Sequence, residues 1–326
     1  MEIFQIASAL SEPANFPAVL ATLVDVQGSS YRRAGARLLI TGQNLRLGSI
    51  SGGCLESDLT ARAAQLLNST DSFDLVTYDT TSENDLLWGV GTGCHGIVKI
   101  LLEKIDSEPT WNQCIKQTSS SRIPSTIATR WLAPDSALLG TFELSEPAPS
   151  HHPEGVFVAE IPPPLHVVIF GAGDDAQPLA ELCQTLDWET TVSDPRSEMA
   201  TENRFPFSRS VKCGPVEEIA SSIDWDDHTA AVIMTHHYRY DLPLLKILAP
   251  INLPYLGLLG PKKRGQRLLK DANLPPKNSL RNPIGLDLGG DGPRAVALSI
   301  VSEIQAWLHQ RSGQTLSLRQ NSIHDS

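Results

Sequence analysis

The stretch 165–196, LHVVIFGAGDDAQPLAELCQTLDWETTVSDPR, limits what the chain can fold into more than any other. An apolar run leads into Gly171-x-Gly173-x-x-Ala176, then into a helical pattern with Leu179, Cys183 and Leu186 on one face, then into a second extended run ending at Asp194. Strand, glycine turn, helix and strand in this order make one right-handed βαβ unit with parallel strands. The glycines permit a tight turn and close backbone approach. Ala176 lets the helix pack, and Asp194 stands where an acid meets a ribose hydroxyl in dinucleotide sites. The alternation continues through AAVIMTHH (230–237), PYLGLLGP (254–261) and AVALSIVSEIQAWLHQ (295–310). Residues 165–311 are therefore expected to form a doubly wound parallel sheet. The polar, aperiodic stretch 312–326 is expected to be a disordered tail.

One detail argues against a dinucleotide. Asp174 and Asp175 occupy the helix start where a pyrophosphate would lie, and carboxylates there favour the helix dipole while repelling a second anion. Gly171, Gly173 and Asp194 stay candidate nucleotide contacts. His236, at the carboxyl end of a strand in Met234-Thr235-His236-His237-Tyr238 with Asp241 following, and Gly260, in a second glycine turn followed by Pro261-Lys262-Lys263-Arg264 whose charge suits a phosphate or a partner, are further candidate cofactor contacts.

The first half differs in kind. AVLATLVDVQGSS (18–30), the hairpin pattern RLLITG (37–42) with LRLGSI (45–50), FDLVTYDT (73–80) and GIVKILLEKI (96–105) read as strands. Between them SGGCLESDLTARAAQLLNS (51–69) is helical, with Leu55, Leu59, Ala63 and Leu66 or Leu67 on one face and acids in the first turn. Short extended segments fill 125–161, and Pro162-Pro163-Pro164 is a stiff break. This defines an α+β domain over 1–161, with its core in 1–106.

Two glycine-rich loops and an arginine cluster carry the chemistry of that domain. Gly28-Ser29-Ser30-Tyr31-Arg32-Arg33 with Arg37 concentrates guanidinium groups in a chain whose net charge is −11. Planar donors of this kind suit a phosphate, which makes Ser29, Arg32 and Arg37 candidate ligand contacts. Gly48-Ser49-Ile50-Ser51-Gly52-Gly53-Cys54-Leu55-Glu56 leads into a helix, so its backbone N–H groups can cradle an anion and Cys54 sits where helix N-termini activate thiols. Ser49, Ser51, Gly52, Gly53 and Glu56 join the candidate set. A second loop thiol, Cys94, lies between Gly93 and His95. Cys54 and Cys94 are the candidate catalytic thiols and candidate soft-metal ligands, and with the arginines they suggest sulfur or soft-metal chemistry on a phosphorylated ligand.

The five cysteines are scattered and include no CxxC, which excludes a disulfide framework or zinc knuckle; Cys114, Cys183 and Cys213 are expected in the core. The acidic balance excludes a general nucleic-acid binder. No run approaches the roughly 18 apolar residues of a membrane helix, and the opening has no leader pattern, so a cytoplasmic protein is expected.

Taken together, GSSYRRAGARLLI, GSISGGCLES, YDTTSENDLLWGVGTGCHGIVKILLE, VVIFGAGDDAQPLA, VIMTHHYRYDL, YLGLLGPKKR and PIGLDLGG resemble the XdhC/CoxI family of xanthine dehydrogenase accessory proteins. The blocks stand in that family's order over nearly the whole chain. The resemblance implies an N-terminal α+β XdhC/CoxI-type domain, a C-terminal Rossmann-like domain and a homodimer. It further implies a chaperone rather than a turnover enzyme. Such a factor binds molybdenum cofactor (molybdopterin), protects it while a cysteine desulfurase supplies the sulfur that replaces a terminal oxo ligand, and inserts it into a molybdenum hydroxylase apoenzyme of xanthine dehydrogenase or aldehyde oxidase type. Cys54 and Cys94 then face the molybdenum and the arginines face the phosphate. The chain departs from the family pattern at His95, at Asp174 and at Gly292-Pro293-Arg294. The rival reading, an NAD(P)-dependent oxidoreductase with a nucleotide in the Rossmann-like domain, lacks a Lys, Tyr or His placed as a hydride-transfer partner.

Overall fold

The computed structural model describes residues 2–43, 45–79, 96–135, 138–144, 153–251, 253–275 and 280–318. The chain divides into two compact units, Met1–Pro163 and Pro164–Ser326.

The first unit is built on a five-stranded antiparallel sheet in the order β3-β2-β1-β5-β4. Its strands are β1 (Ala18–Gly28), β2 (Arg37–Thr41), β3 (Arg46–Gly48), β4 (Phe73–Asp79) and β5 (Gly96–Ile105). Side chains alternate across the sheet, and both faces are covered. One face, with Val19, Ala21, Leu38, Ile40, Ile100 and Leu102, packs on Leu59, Ala63 and Leu66 of helix α2 (Glu56–Leu67). The other, with Leu20, Leu39 and Ile105, packs on α1 (Glu2–Ala9) and α3 (Thr110–Ser121), two helices that no pattern in the sequence had marked. A three-stranded antiparallel sheet, β7-β6-β8, is formed by β6 (Ser125–Arg130), β7 (Gly140–Leu144) and β8 (Val156–Ile161). Where β1 pairs with β5 the register slips between Leu23 and Asp25, a bulge that leaves Val24 without a partner in the ladder.

The second unit is a six-stranded sheet in the order β11-β10-β9-β12-β13-β14, with every pairing parallel. The strands are β9 (His166–Phe170), β10 (Glu189–Asp194), β11 (Ser210–Cys213), β12 (Thr229–Ile233), β13 (Tyr255–Leu258) and β14 (Leu280–Arg281). This is the 3-2-1-4-5-6 order of a Rossmann fold, whose ligands lie at the carboxyl edge of the strands. Helices α4 (Ala176–Thr185) and α8 (Pro293–Leu308) cover one face. The other face is covered by α5 (Val216–Ser221), α6 (Tyr238–Leu248) and α7 (Lys262–Asp271). Cys183 and Cys114 are buried as expected, whereas Cys213 is exposed, because it ends an edge strand rather than a central one. Among the described residues no helix is long and apolar enough to cross a membrane.

Candidate functional site

In the first unit the turns after β1 and β3 meet above α2. They enclose a cavity of about 220 Å³ floored by Leu23, Ile50, Leu55 and Val98 and rimmed by Ser29, Tyr31, Ser51, Gly52 and Cys54. Ser29, Cys54 and Tyr31 are exposed. The cavity is smaller than the roughly 300–1,000 Å³ of ordinary small-molecule sites, so it suits one end of a larger ligand. Gly52 is held at φ +74, and a Cβ there would strike the Tyr31 ring at 2.8 Å; only glycine lets the ring lie against the turn.

The anion cradle expected at Ser49–Gly53 exists, and its anion is internal. The Glu56 carboxylate turns back from the start of α2 and accepts the backbone N–H groups of Ile50, Ser51 and Gly53 at 2.8–3.0 Å. It also accepts the hydroxyls of Ser49 at 3.0 Å and Ser51 at 2.6 Å. Partial burial alone would raise this carboxyl, but the hydrogen bonds from Ser51 and Ile50 outweigh it and hold it at about 2. The turn therefore offers no vacant nest to a phosphate; Glu56 is its buttress.

The arginines are likewise engaged. Arg32 forms a two-pronged ion pair with Glu2 at 3.0 and 2.7 Å. Arg37 is buried, unlike Arg32. It opens β2 on the sheet face opposite Leu38 and α2, is 4% exposed, and has Nε and Nη2 without a hydrogen-bond partner. Desolvation lowers its guanidinium to about 10, with Glu103 acting in the other direction. Gly93 and Cys94 lie outside the described residues.

In the second unit the carboxyl edge gathers the other candidates, each already paired. Gly171 has φ +115, and a Cβ there would lie 2.4 Å from the Met234 carbonyl oxygen, so the turns after β9 and β12 touch through backbone. Asp194 is buried, and its carboxylate accepts four hydrogen bonds at 2.8–2.9 Å, from Ala172 N and from the backbone, Nε and Nη2 of Arg196. In this structure the acid locks the glycine turn. Asp174 pairs with Arg204 at 2.9 Å, and Asp175 with His236 Nε2 at 2.6 Å. His236 is itself held at φ +56, a region rarely used outside glycine. Beneath it Thr235 donates to the buried Asp241, which forms a 2.5 Å ion pair with Arg264. Arg264 also packs beside Gly260 and donates to the Leu259 carbonyl. Asp241 and Arg264 stand in the strand-end and basic-turn motifs that the sequence marks, but their pairing with each other is not legible there; Arg196 and Arg204 are added by the structure, with the Asp-Pro-Arg triplet at 194–196 as the local signal for the first.

This edge predicts weak nicotinamide binding. With Asp194 saturated and two more carboxylates at the helix start, NAD(H) should show no saturable titration below about 1 mM, or about 4 kcal/mol of binding free energy, by calorimetry. Micromolar affinity with turnover would restore the oxidoreductase reading.

Residues 13–79 match the family model described as the XdhC and CoxI family, and residues 167–304 match that of the XdhC Rossmann domain. The chain is 34% identical over 311 residues to a probable xanthine dehydrogenase subunit of Bacillus subtilis (strain 168), covering 88% of this chain and 92% of that one. It is 24% identical over 320 residues to the molybdenum cofactor insertion chaperone PaoD of Escherichia coli (strain K12), covering 92% and 86%. A crystal structure described as a xanthine dehydrogenase from Bacillus halodurans superposes with a TM-score of 0.84 at 27% identity, over 98% of both chains.

Proposed function

Because the chain belongs to the XdhC and CoxI family, we propose that it is a molybdenum cofactor insertion chaperone, serving a molybdenum hydroxylase of the xanthine dehydrogenase type. The cofactor is its cargo. The observation that carries this reading is the Cys54 cavity, whose lining apart from Val98 falls in the segment matched by the family model. Its apolar floor suits a flat ring, Tyr31 offers an aromatic face beside it, and the exposed Cys54 thiol suits a soft metal–sulfur centre. The same chemistry supports a role in sulfuration: cargo with one end in the cavity keeps its metal beside the exposed Cys54, within reach of a cysteine desulfurase that delivers sulfur. Homodimer formation belongs to this reading.

The test is direct. Full-length protein produced with an intact molybdopterin pathway should carry close to one molybdenum and one pterin per chain, by mass spectrometry and pterin fluorescence. Cys54→Ser should lower occupancy about tenfold, or about 1.4 kcal/mol, with the fold intact. Full loading of the serine variant would remove Cys54 from the site. Absence of molybdenum and pterin from the parent protein would overturn the cargo reading itself.

A further inference from the structure

Helices α6 and α7 form one layer, tied by the Arg264–Asp241 ion pair, by a hydrogen bond from the Tyr238 hydroxyl to Asp271, and by Arg267 lying 5.4 Å over the Tyr238 ring. Their outward residues are unlike the rest of the chain. Arg239 and Lys246 are seven positions apart on α6, opposite the buried Asp241, Leu244, Leu245 and Leu248. Lys263, Arg267 and Lys270 follow i, i+4, i+7 on α7, opposite the buried Gly265 and Leu268, with Lys262 beside them. All six cations are exposed, and the exposed acid on the two helices is Asp271, 3.7 Å from Arg267. Among the described residues Arg239, Lys246, Lys262, Lys263 and Lys270 make no ion pair. The first turn of α7 holds cations and no acid, at the positive end of the helix dipole, an arrangement unfavourable for the isolated helix.

We propose that this face is a docking surface for a carboxylate-rich surface of a partner protein. Charge complementarity selects the occupant. Six cations against one acid leave the face five charges positive, so the remaining chain carries sixteen more acidic than basic residues. That surrounding field repels a long polyanion such as nucleic acid, whereas a compact acidic patch meets the local positive charge. Composition points the same way: Arg239 stacks over Tyr240 at 4.7 Å and Arg267 over Tyr238, and Arg with Tyr are the residues that dominate protein interface cores. The inference does not rest on the cargo reading.

The full-length protein should bind a fluorescein-labelled poly-L-glutamate peptide with an affinity that falls as salt rises, measured by fluorescence anisotropy. Lys263→Glu with Lys270→Glu should weaken it about tenfold and flatten the salt dependence. Lys263→Gln with Lys270→Gln should do the same to a smaller extent, and it decides the matter if the charge-reversed protein does not fold. A single-stranded DNA of matched length should bind no more tightly than the peptide. Unchanged peptide affinity in both variants, tighter binding to DNA, or a change of oligomeric state on charge reversal, which would assign the face to a second copy of this chain, each overturns the proposal.

Discussion

Glu56→Ala is expected to unravel the Ser49–Gly53 turn and cost about 2 kcal/mol. Three backbone N–H groups and two hydroxyls converge on that carboxylate, and alanine returns all five donors to water. A fall from 4.5 to about 2 corresponds to roughly 3 kcal/mol, which solvent access to the half-buried group reduces to about 2. Since the folded-state carboxyl lies below its ordinary value, its contribution is complete above about pH 4.5 and disappears as the pH falls towards 2. The parent should therefore lose its advantage over Glu56→Ala on acidification. Glu56→Gln is expected to lose less than alanine, because its amide oxygen can still accept from Ser49, Ile50 and Ser51 while its NH2 faces the Gly53 N–H. Urea unfolding at neutral and acid pH, with the amide resonances of Ile50, Ser51 and Gly53, reads this out. Unmoved resonances in the alanine variant would show that the turn stands without the buttress.

The larger loss of stability is expected at Asp241→Ala, about 3 kcal/mol. Asp241 is 1% exposed, and its two oxygens meet Thr235 and Arg264. Burial raises its carboxyl, while Thr235 and Arg264 favour the ionised form. Removing one member of such a pair strands the other charge, at about 3–5 kcal/mol when both are buried; Arg264 keeps some contact with water, which sets the lower figure. For a unit of this size that is a fall in Tm of about 6–12 °C. Asp241→Asn retains an acceptor for Thr235 and should lose less. Calorimetry showing the alanine variant no less stable than an exposed-site control would remove the pair from the structural account.

Legibility followed periodicity and failed where side chains fold back on the chain. The β9–α4–β10 unit and the Leu55, Leu59, Ala63, Leu66 stripe of α2 were readable because each repeats a spacing that only one element satisfies. Helix α1 was not, since the eight residues of EIFQIASA are too few for their spacing to stand out and no capping residue precedes them. The pattern places Arg37 at the start of a strand but does not show its burial: all five residues of β2 are buried, so a strand covered on both faces begins with a charge. Glu56 and Asp194 were recognised as important, but for a ligand. Their actual partners are the turn amides beside Glu56 and, for Asp194, Arg196 and Ala172, contacts set by rotamer and turn geometry rather than by spacing.

The bulge at Val24 acts as a built-in frameshift. Before it the odd-numbered residues Val19, Ala21 and Leu23 face α2; after it the even-numbered Val26, opposite Val98, packs on that side. The extra residue bends and twists β1 where it leads to the Gly28–Tyr31 turn at the mouth of the cavity, while the ladder with β5 keeps its order on either side. Deleting Val24 would leave Leu23 opposite Ile100, Asp25 opposite Lys99 and Val26 opposite Val98, so every partner is kept and what is lost is the kink, and with it the aim of the turn at position 29.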